Sequence, residues 1–491
     1  MHVIIVGAGQ VGYQLAAQLT AEKHDVSLIE KDETRFRHVS GRLDCLILNN
    51  DGASLSALEE AGIGAANALV AVTASDEQNM IICGIAASRY SGIVKIARVH
   101  NEDYVLLKIS GNKSMRQMVH EEKKFLGIDH FIHPDVEAAR VVLRAIEHGA
   151  MGDVLSFSQS EFELTSVDVQ KGSAMDDLSL IDWRKKHSGE SLVTLIERDG
   201  KSLLPSGGTK IKRGDRVYIL CSTDECEKVY ALAGRAEKPI RSVGIVGASK
   251  ICTLIVDGLG FHDEARSQTQ KLKLFANTAQ SFFSFFKSFI QKRNRSITII
   301  EQDYELCKTI SAKYPDVLVL NEDITDENFV AEERIGGLDL IVTATGHQEM
   351  NIISGLYLKS KGVQRVIALV SGSGVALIAR RLGVDVVVPA VSVEVDAILS
   401  RIKGESIKGI HTLGDGTTGI YEIRVTDGAP LAGKPVFDFR LPEGGLVMLA
   451  TREGLSFIPR GDYVFKSGDN IIIIAKNTQV KEIEQYFGVK I

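Results

Sequence analysis

The chain carries the same pattern twice, and this duplication constrains its fold more than any other feature. Residues 196–219 read IERDGKSLLPSGGTKIKRGDRVYI, and residues 450–473 read ATREGLSFIPRGDYVFKSGDNIII, with Arg, Gly, Pro and Gly-Asp in equivalent places. The 491 residues therefore predict two duplicated halves, about 1–236 and 237–491. The segment 233–242, which contains charged residues, Gly and Pro, is the predicted link between them.

Each half begins with short, β-branched apolar runs that alternate with helical patterns. In the first half these runs are HVIIVG, DVSLIE, CLILNN, ALVAVT and IVKIARV, and such alternation is typical of βαβ units around a buried parallel sheet. The later part of each half has strand-like runs between Gly and Pro turns and one final helix, which predicts a small α+β module. We therefore predict an α/β fold with Rossmann-like domains at 1–125 and 240–395, each followed by a small α+β domain, at 150–236 and 406–491.

The distance between equivalent residues changes along the chain and indicates an insertion in the second half. The equivalent pairs are Gly7 with Gly247, Glu30 with Glu301, and Thr73 with Thr343. Their separation grows from 240 to 271 residues between the first two pairs, so about 31 residues are inserted near 261–295. This segment is basic and places phenylalanines on one side of a helical projection. It predicts an amphipathic helix that either packs on its own protein or a neighbouring subunit, or contacts a membrane surface or a channel subunit.

Composition excludes several classes of protein. Lys and Arg number 57 against 63 Asp and Glu, a net charge of −6, so the basic footprint of a nucleic-acid-binding protein is absent. No apolar run reaches the length of a membrane span, about 18 residues, and the N-terminus lacks the features of a signal peptide, so we expect a cytoplasmic protein. The six cysteines form no C-x-x-C pair and no His pair stands at metal-ligand spacing near them, which predicts reduced thiols and no metal.

A glycine motif supplies the main functional signal. GAGQVG at 7–12 follows a predicted strand and opens a helix, which is the context that G-x-G-x-x-G requires. Gly7 permits the tight turn, Gly9 lets the backbone approach a pyrophosphate, and Gly12 allows close helix packing, while the helix N-terminus offers free N–H groups. Glu30 ends the second strand, where a carboxylate hydrogen-bonds ribose hydroxyls and repels a 2′-phosphate. The sequence therefore predicts an NAD(H) site in preference to an NADP(H) site.

Further candidates lie at the carboxyl ends of later strands, the edge where open parallel sheets bind ligands. Asp51 could approach the base or ribose, or could belong to a helix N-cap region. Thr73, Ala74 and Ser75 are small enough to let a dinucleotide pass closely, although they would also serve as a helix cap. Arg98 could hold a phosphate through paired hydrogen bonds, or form an ion pair at the surface or at an interface.

The second copy has lost much of this chemistry. Ser249, Cys252 and Leu369 stand where the first copy has its second glycine, its third glycine and Arg98. An acidic residue persists at the end of the second strand, but a ribose-binding acid without a phosphate cradle is a weak indication of binding. We therefore expect the second copy to be retained for its shape and its interfaces.

No catalytic constellation stands out in the sequence. A dehydrogenase would need a proton donor such as a His paired with a carboxylate, or a Lys, on a substrate domain. His100, His120, His130 and His133 cluster only loosely, in a connection followed by an amphipathic helix. The small modules, about 80 residues each, are too short and too rich in turns for a catalytic lobe. We expect no enzymatic activity, and an NAD-dependent oxidoreductase is the less favoured alternative.

Four stretches and the repeated small-domain pattern resemble a known family over nearly the whole chain. They are MHVIIVGAGQVGYQLAAQL at the start, NDGASLSALEEAGI at 50–63, LVAVTASDEQNM at 69–80 and IARV at 96–99. In this order they resemble the TrkA family, the cytosolic regulatory proteins of Trk potassium-uptake systems. Proteins of this family are built from tandem RCK domains, which regulate potassium conductance.

The resemblance implies a regulatory subunit that binds NAD(H) and, in the same pocket, ATP or ADP. It also implies a homo-oligomer, a tetrameric ring, on the cytosolic face of the membrane beneath a potassium-translocating subunit of the TrkH type. Nucleotide identity would bias the ring conformation, and hence the channel, with no bond made or broken. The family's nucleotide residues carry over onto Gly7, Ala8, Gly9, Gln10, Val11, Glu30, Asp51, Thr73, Ala74 and Arg98.

Two features depart from the family pattern. The degraded second glycine loop puts a second nucleotide site in doubt, and the insertion near 261–295 has no counterpart from which a role carries over. A regulator of another cation channel or transporter remains the alternative, because it would keep the fold and change only the partner.

Overall fold

The computed structural model describes most of the chain. The described residues are 1–101, 104, 125–157, 160–187, 191–234, 239–261, 295–404, 407–413, 416–439 and 444–489. The amphipathic helix predicted within the insertion therefore lies outside the described residues, as does His120. None of the described helices combines the length and the apolar character needed to cross a bilayer.

The first parallel sheet has six strands in the order β3-β2-β1-β4-β5-β6, the order of dinucleotide-binding folds. Its strands are β1 (His2–Val6), β2 (Asp25–Glu30), β3 (Leu46–Asn49), β4 (Ala68–Ala71), β5 (Val94–Arg98) and β6 (His130–Ile132). The helices are α1 (Gln10–Ala21), α2 (Glu33–Ser40), α3 (Leu55–Glu60), α4 (Asp76–Arg89) and α5 (Pro134–Glu147). Consecutive apolar residues form the central strand because helices cover both faces, and Val3, Ile4 and Ile5 are fully buried. The sixth strand follows residue 125, the predicted end of this domain.

The second parallel sheet repeats this order as β14-β13-β12-β15-β16-β17. Its strands are β12 (Ser242–Val246), β13 (Ser296–Glu301), β14 (Leu318–Asn321), β15 (Leu340–Thr343), β16 (Arg365–Val370) and β17 (Val386–Pro389). Its helices are α8 (Lys250–Gly258), α9 (Tyr304–Lys313), α10 (Glu327–Glu332), α11 (Gln348–Ser360), α12 (Ser373–Leu382) and α13 (Ala390–Ile402). The predicted fold class, with two tandem Rossmann-like sheets, is confirmed.

Each parallel sheet is followed by a small antiparallel sheet of five strands. The first comprises β7 (Val154–Ser156), β8 (Phe162–Asp168), β9 (Ser191–Arg198), β10 (Lys201–Leu203) and β11 (Arg216–Ser222), with α6 (Leu180–Lys186) and α7 (Cys226–Leu232). The second comprises β18 (Ile407–Leu413), β19 (Thr418–Arg424), β20 (Gly445–Arg452), β21 (Leu455–Phe457) and β22 (Asn470–Lys476), with α14 (Val480–Tyr486). Short 3₁₀ turns lie at Ile63–Ala65, Phe125–Gly127, Thr223–Glu225, Ile335–Gly337, Val436–Asp438 and Asn477–Gln479.

The repeated motif that revealed the duplication has a structural role in these small sheets. Arg198 donates two hydrogen bonds to the Asp215 carboxylate, at 2.8 and 2.7 Å. Arg452 binds Asp469 in the same two-pronged way, at 2.7 Å for both bonds. Each pair ties the end of one strand to the turn before another, and paired bonds of this kind are among the stronger side-chain contacts.

The two halves exchange helices, a feature that the sequence analysis did not predict. Helix α5 of the first half packs in one apolar core with the second sheet, where Leu143 lies against Gly258 of α8. Helix α13 of the second half packs against the first sheet, and its Ile398 shares a core with Leu15 of α1. The two small sheets also pack on each other, through residues such as Leu195 and Leu449. Each half therefore completes the core of the other.

Candidate functional site

A cavity of about 650 Å³ lies at the carboxyl edge of the first parallel sheet, where ligands bind in open α/β folds. Eight of the twelve predicted site residues line it, namely Gly7, Ala8, Gly9, Gln10, Glu30, Thr73, Ala74 and Arg98. The other four lie beside or behind it. Val11 and Gly12 are buried in α1, Ser75 accepts a hydrogen bond from Gln78 N–H as the N-cap of α4, and Asp51 follows β3. The cavity therefore brings most of the predicted residues together.

The glycine loop has the geometry that its motif predicts. Gly7 has φ +105°, a conformation that favours glycine. A Cβ on Gly12 would stand 1.8 Å from the Gly7 carbonyl oxygen, so only glycine lets α1 approach the loop this closely. Gly9 differs, because its φ is −65° and a Cβ there would meet no atom of the described residues within 4 Å. Protein packing does not require glycine at this position, but a ligand that approaches the backbone from the cavity would.

Glu30 is nearly buried and braces the loop. The backbone N–H of Ala8 donates to its Oε2 at 2.6 Å, and that of Asp32 donates to its Oε1 at 2.8 Å. Glu301 of the second half accepts the same two bonds, from Ala248 at 2.7 Å and Asp303 at 2.9 Å. These two hydrogen bonds therefore belong to the fold itself and form even where the second and third glycines are absent. Each carboxylate oxygen can still accept a further hydrogen bond, from a ribose hydroxyl for example.

Thr73 and Asp51 are held by side chains of neighbouring elements. Asn79 of α4 accepts from the N–H and the hydroxyl of Thr73, at 2.8 and 2.7 Å, and so fixes the end of β4. Lys31 donates to Asp51 Oδ2 at 2.8 Å, and this bond lowers the pKa of Asp51 below its usual value. The loop after β3 is therefore anchored to the loop after β2 at the rim of the cavity.

Arg98 lies at the opposite end of the cavity and meets a residue from the second half. Its Nε stands 2.9 Å from Oε1 of Glu394, a residue of α13 whose side chain is only 2% exposed. Burial raises the pKa of Glu394 to about 7, although the charge of Arg98 opposes this shift. Arg98 therefore lines the cavity and also stands in an ion pair between the halves, while its predicted role in holding a phosphate stays a prediction.

A row of basic side chains that the sequence analysis did not predict lines the same cavity. Lys31, Arg35, His38 and Arg42 lie on or beside α2 and face the cavity. Their spacing of four, three and four residues places them on one side of a helix, and that periodicity was the available signal. Together with Arg98 they make the cavity suited to an anion with several phosphate charges.

The second half supplies an internal comparison for each of these features. At the second-glycine position, the Ser249 hydroxyl donates to the Ala344 carbonyl at 2.9 Å. Lys250 Nζ donates to the His100 carbonyl of the first half. Gln302, Leu306 and Thr309 replace three of the four cations of the row. The second half therefore lacks most of the basic row and the second and third glycines, and keeps only Lys313 and Gly247.

The structure corrects one equivalence between the halves. Thr345 makes the same bonds to Asn351 as Thr73 makes to Asn79, with distances of 2.9 Å from N–H and 2.6 Å from the hydroxyl. The predicted equivalence of Thr73 with Thr343 was therefore wrong by two residues. The sequence motif LIVTAT contains two threonines, and only the strand register distinguishes them.

The cysteines offer little reactive chemistry. Cys221 and Cys226 approach to 3.2 Å between sulfurs as free thiols. Burial raises the pKa of Cys83 and of Cys252 to about 12, which disfavours the reactive thiolate. Among the described residues no group of three or more His, Cys, Asp or Glu side chains has a metal-binding arrangement.

Comparisons with known proteins agree with the duplicated architecture. The TrkA-N domain model matches residues 3–134 and 284–390, and the TrkA-C domain model matches residues 164–234 and 420–488. The Trk system potassium uptake protein TrkA homolog of Archaeoglobus fulgidus is 30% identical over 99% of this chain and 100% of its own length. The Trk system potassium uptake protein TrkA of Azorhizobium caulinodans is 26% identical over 100% of this chain and 99% of its own.

Solved structures resemble this chain in fold. The GsuK RCK domain superposes with a TM-score of 0.53 and 15% identity over 100% of this chain and 95% of that one. The GsuK channel bound to NAD gives a TM-score of 0.52 and 15% identity, over 100% of this chain and 79% of that one. Fold and domain matches together define a protein of two RCK-type units in tandem. The chain belongs to the TrkA family of Trk system potassium uptake proteins.

Proposed function

We propose that the chain is a nucleotide-binding regulatory subunit of a Trk-type potassium uptake system. NAD(H) occupies the first-half cavity, and ATP or ADP competes for the same place. Ligand-dependent conformational change then gates a membrane subunit of the TrkH type. In this proposal the protein forms a homo-oligomeric ring, a tetramer, attached to the cytosolic face of the membrane through its partner.

One observation carries the proposal: the backbone of Gly9 is open to a cavity that basic side chains also line. An open position beside a helix N-terminus is what close approach of a pyrophosphate requires. The side of that cavity away from Arg98 carries the α2 cation row, and the duplicate without an intact glycine loop lacks most of this row. The residues proposed to hold the nucleotide are Gly7, Ala8, Gly9, Gln10, Val11, Gly12, Glu30, Asp51, Thr73, Ala74, Ser75 and Arg98.

The first experiment is calorimetric titration of the full chain with NADH, alone and with ATP already present. We expect one site per chain, and we expect ATP to block it. Replacing Arg98→Leu together with Glu394→Ala should weaken NADH binding about 10- to 100-fold, because a hydrogen-bonded phosphate contact of an arginine is lost. Two independent sites would contradict the expectation that the degenerate second glycine loop binds no nucleotide. Absence of both NADH binding and ATP binding would overturn the proposal.

The α2 cations provide a second test of the same cavity. The double substitution Arg35→Gln and Arg42→Gln should weaken NADH binding about 3- to 10-fold at low salt, and less at high salt, because exposed charges act through a screened field. Arg37→Gln is the matched control, since Arg37 lies on the same helix but pairs with Glu33 outside the cavity. Equal losses in the control and in the double variant would show that the row has no specific role.

Two alternatives make different predictions. A regulator of another cation channel would bind the same nucleotides but would not alter potassium flux when reconstituted with a TrkH-type subunit. An NAD-dependent oxidoreductase would turn over its cofactor when offered a substrate, and the cavity holds no His paired with a carboxylate to serve as proton donor among the described residues. The family match favours the potassium system over both.

A further inference from the structure

The Arg98 and Glu394 contact joins the candidate nucleotide cavity to the other half of the chain. The two residues are far apart in sequence and meet only because α13 crosses onto the first sheet. Although Nε and Oε1 are 2.9 Å apart, neither atom has an aligned hydrogen bond within the described part of the chain. The contact between Nε and Oε1 is therefore held by charge and close approach and not by an aligned hydrogen bond.

The duplicate shows that the fold does not need this ion pair. Strand registers pair Arg98 with Ile132 and, in the second half, Leu369 with Val388. Glu394 lies six residues after Val388, and Ala138 of α5 lies six residues after Ile132, so Ala138 is the counterpart of Glu394. Leu369 and Ala138 lie in one apolar core. Both partners of the ion pair are thus replaced together by apolar residues where the glycine loop is degenerate.

A buried ion pair that an apolar pair can replace is a poor source of stability. Its presence only beside the intact glycine loop indicates that it serves the ligand. A phosphate that accepts hydrogen bonds from Arg98 would bring negative charge next to a carboxylate that is 2% exposed. Glu394 would then take up a proton, because an unpaired charge in that position is unfavourable, and α13 would lose its ion pair with the first sheet.

We propose that Glu394 is a positioning residue of the first-half cavity, which holds Arg98 in the absence of ligand and competes for it with a bound phosphate. This rests on the proposed function. Helix α13 packs on α1 and on β18, and ends beside Lys403. Nucleotide binding therefore loosens α13 on the first sheet and reaches the second small domain through it.

The charges around Glu394 set the sign of its pH dependence. They are Arg98 from β5 and Asp135 and Glu137 from α5, and α1 contributes uncharged Gln14, which donates to Ser392 of α13 at 3.1 Å. A bound phosphate adds negative charge and draws Arg98 away, so the pKa of Glu394 rises above its ligand-free value of about 7. Binding then takes up a proton, so affinity increases as the pH falls from the higher bound-state pKa toward about 7 and levels off below it.

The test is NADH titration of the full chain between about pH 6 and about pH 8, a range in which the NADH pyrophosphate does not titrate. The parent protein should bind NADH at least about 3-fold more tightly at the lower pH. In Glu394→Gln this dependence should vanish and affinity at the higher pH should rise, since the competing charge is gone. Hydrogen exchange in 390–402 should increase on NADH binding in the parent protein and not in the variant.

Glu137 of α5 provides a matched control for Glu394. Glu137→Gln removes a carboxylate that acts on Glu394 but pairs with Arg140, so the pH dependence should persist. An unchanged pH profile in Glu394→Gln would overturn the inference and assign the effect to another group, such as His38 of the cavity. Failure of the parent protein to bind both NADH and ATP at any pH would instead overturn the proposed function.

Discussion

Replacing Lys403→Met is expected to lower the free energy of unfolding by about 3–5 kcal/mol, the cost of leaving buried charges unpaired. Lys403 Nζ lies 2.6 Å from Glu22 and 3.2 Å from Glu484, and none of the three side chains is more than 1% exposed. Burial alone would raise the pKa of Glu22, but the charge of Lys403, together with its hydrogen bond and the neighbouring His24, outweighs burial and keeps the pKa below its usual value. Without the lysine, two carboxylates remain in the interior.

Urea unfolding followed by circular dichroism measures this loss. Lys185→Met is the matched control, because Lys185 and Asp182 form an exposed pair, 3.9 Å apart, that should contribute about 1 kcal/mol or less. Adding Glu22→Gln and Glu484→Gln to Lys403→Met should recover part of the loss, since no buried charge then lacks a partner. If Lys403→Met lowers the free energy of unfolding no more than the control does, the contacts of Lys403 with Glu22 and Glu484 do not stabilise the folded protein.

Substitutions of two glycines in the same loop should have different effects, one on stability and the other on NADH affinity. Gly12→Ala should lower stability by about 1–3 kcal/mol, because its Cβ would clash with the Gly7 carbonyl oxygen and the loop must shift. Gly9→Ser should leave stability unchanged, since the duplicate carries Ser249 at this position with φ −66° against −65° for Gly9. NADH affinity should nevertheless fall about 10- to 100-fold in Gly9→Ser, because the side chain displaces the pyrophosphate from backbone N–H groups.

The contrast between stability and binding is what tests the site. Thermal unfolding and NADH titration of both variants separate the two effects. Gly208→Ala is a suitable control, because a Cβ on Gly208 would meet no atom within 4 Å in the part of the chain that the structure describes, and Gly208 lies in a small domain far from the cavity in sequence. Full NADH affinity in Gly9→Ser would remove the main support for the first-half nucleotide site.

Much of the fold could be predicted from the sequence because its signals are local. Short β-branched runs such as Val3 to Val6, bounded by a glycine turn, favour buried strands, and the turn at Gly7 is set by its own backbone conformation. The duplication then extended each assignment to the other half. Where a choice depended on register, as between Thr343 and Thr345, the local pattern was ambiguous and the prediction was wrong.

The candidate site was only partly predictable for the same reason. The glycine loop, Glu30 and Arg98 follow strands in a fixed pattern, so their common edge follows from the topology. The α2 cations had a periodicity that was not recognised. Glu394 had no local signal at all, because its place beside Arg98 depends on how α13 crosses between the halves.

By itself the sequence determined two Rossmann-like units in tandem, the intact first glycine loop and the degenerate second one. Each of these depends on residue type and spacing within a few turns of chain. Only the tertiary structure decided the exchange of α5 and α13, the placement of Glu394 and the enclosure of Lys403 between Glu22 and Glu484. These contacts join residues that lie far apart in the sequence, and their free energy depends on the docking of two completed cores, which no local pattern encodes.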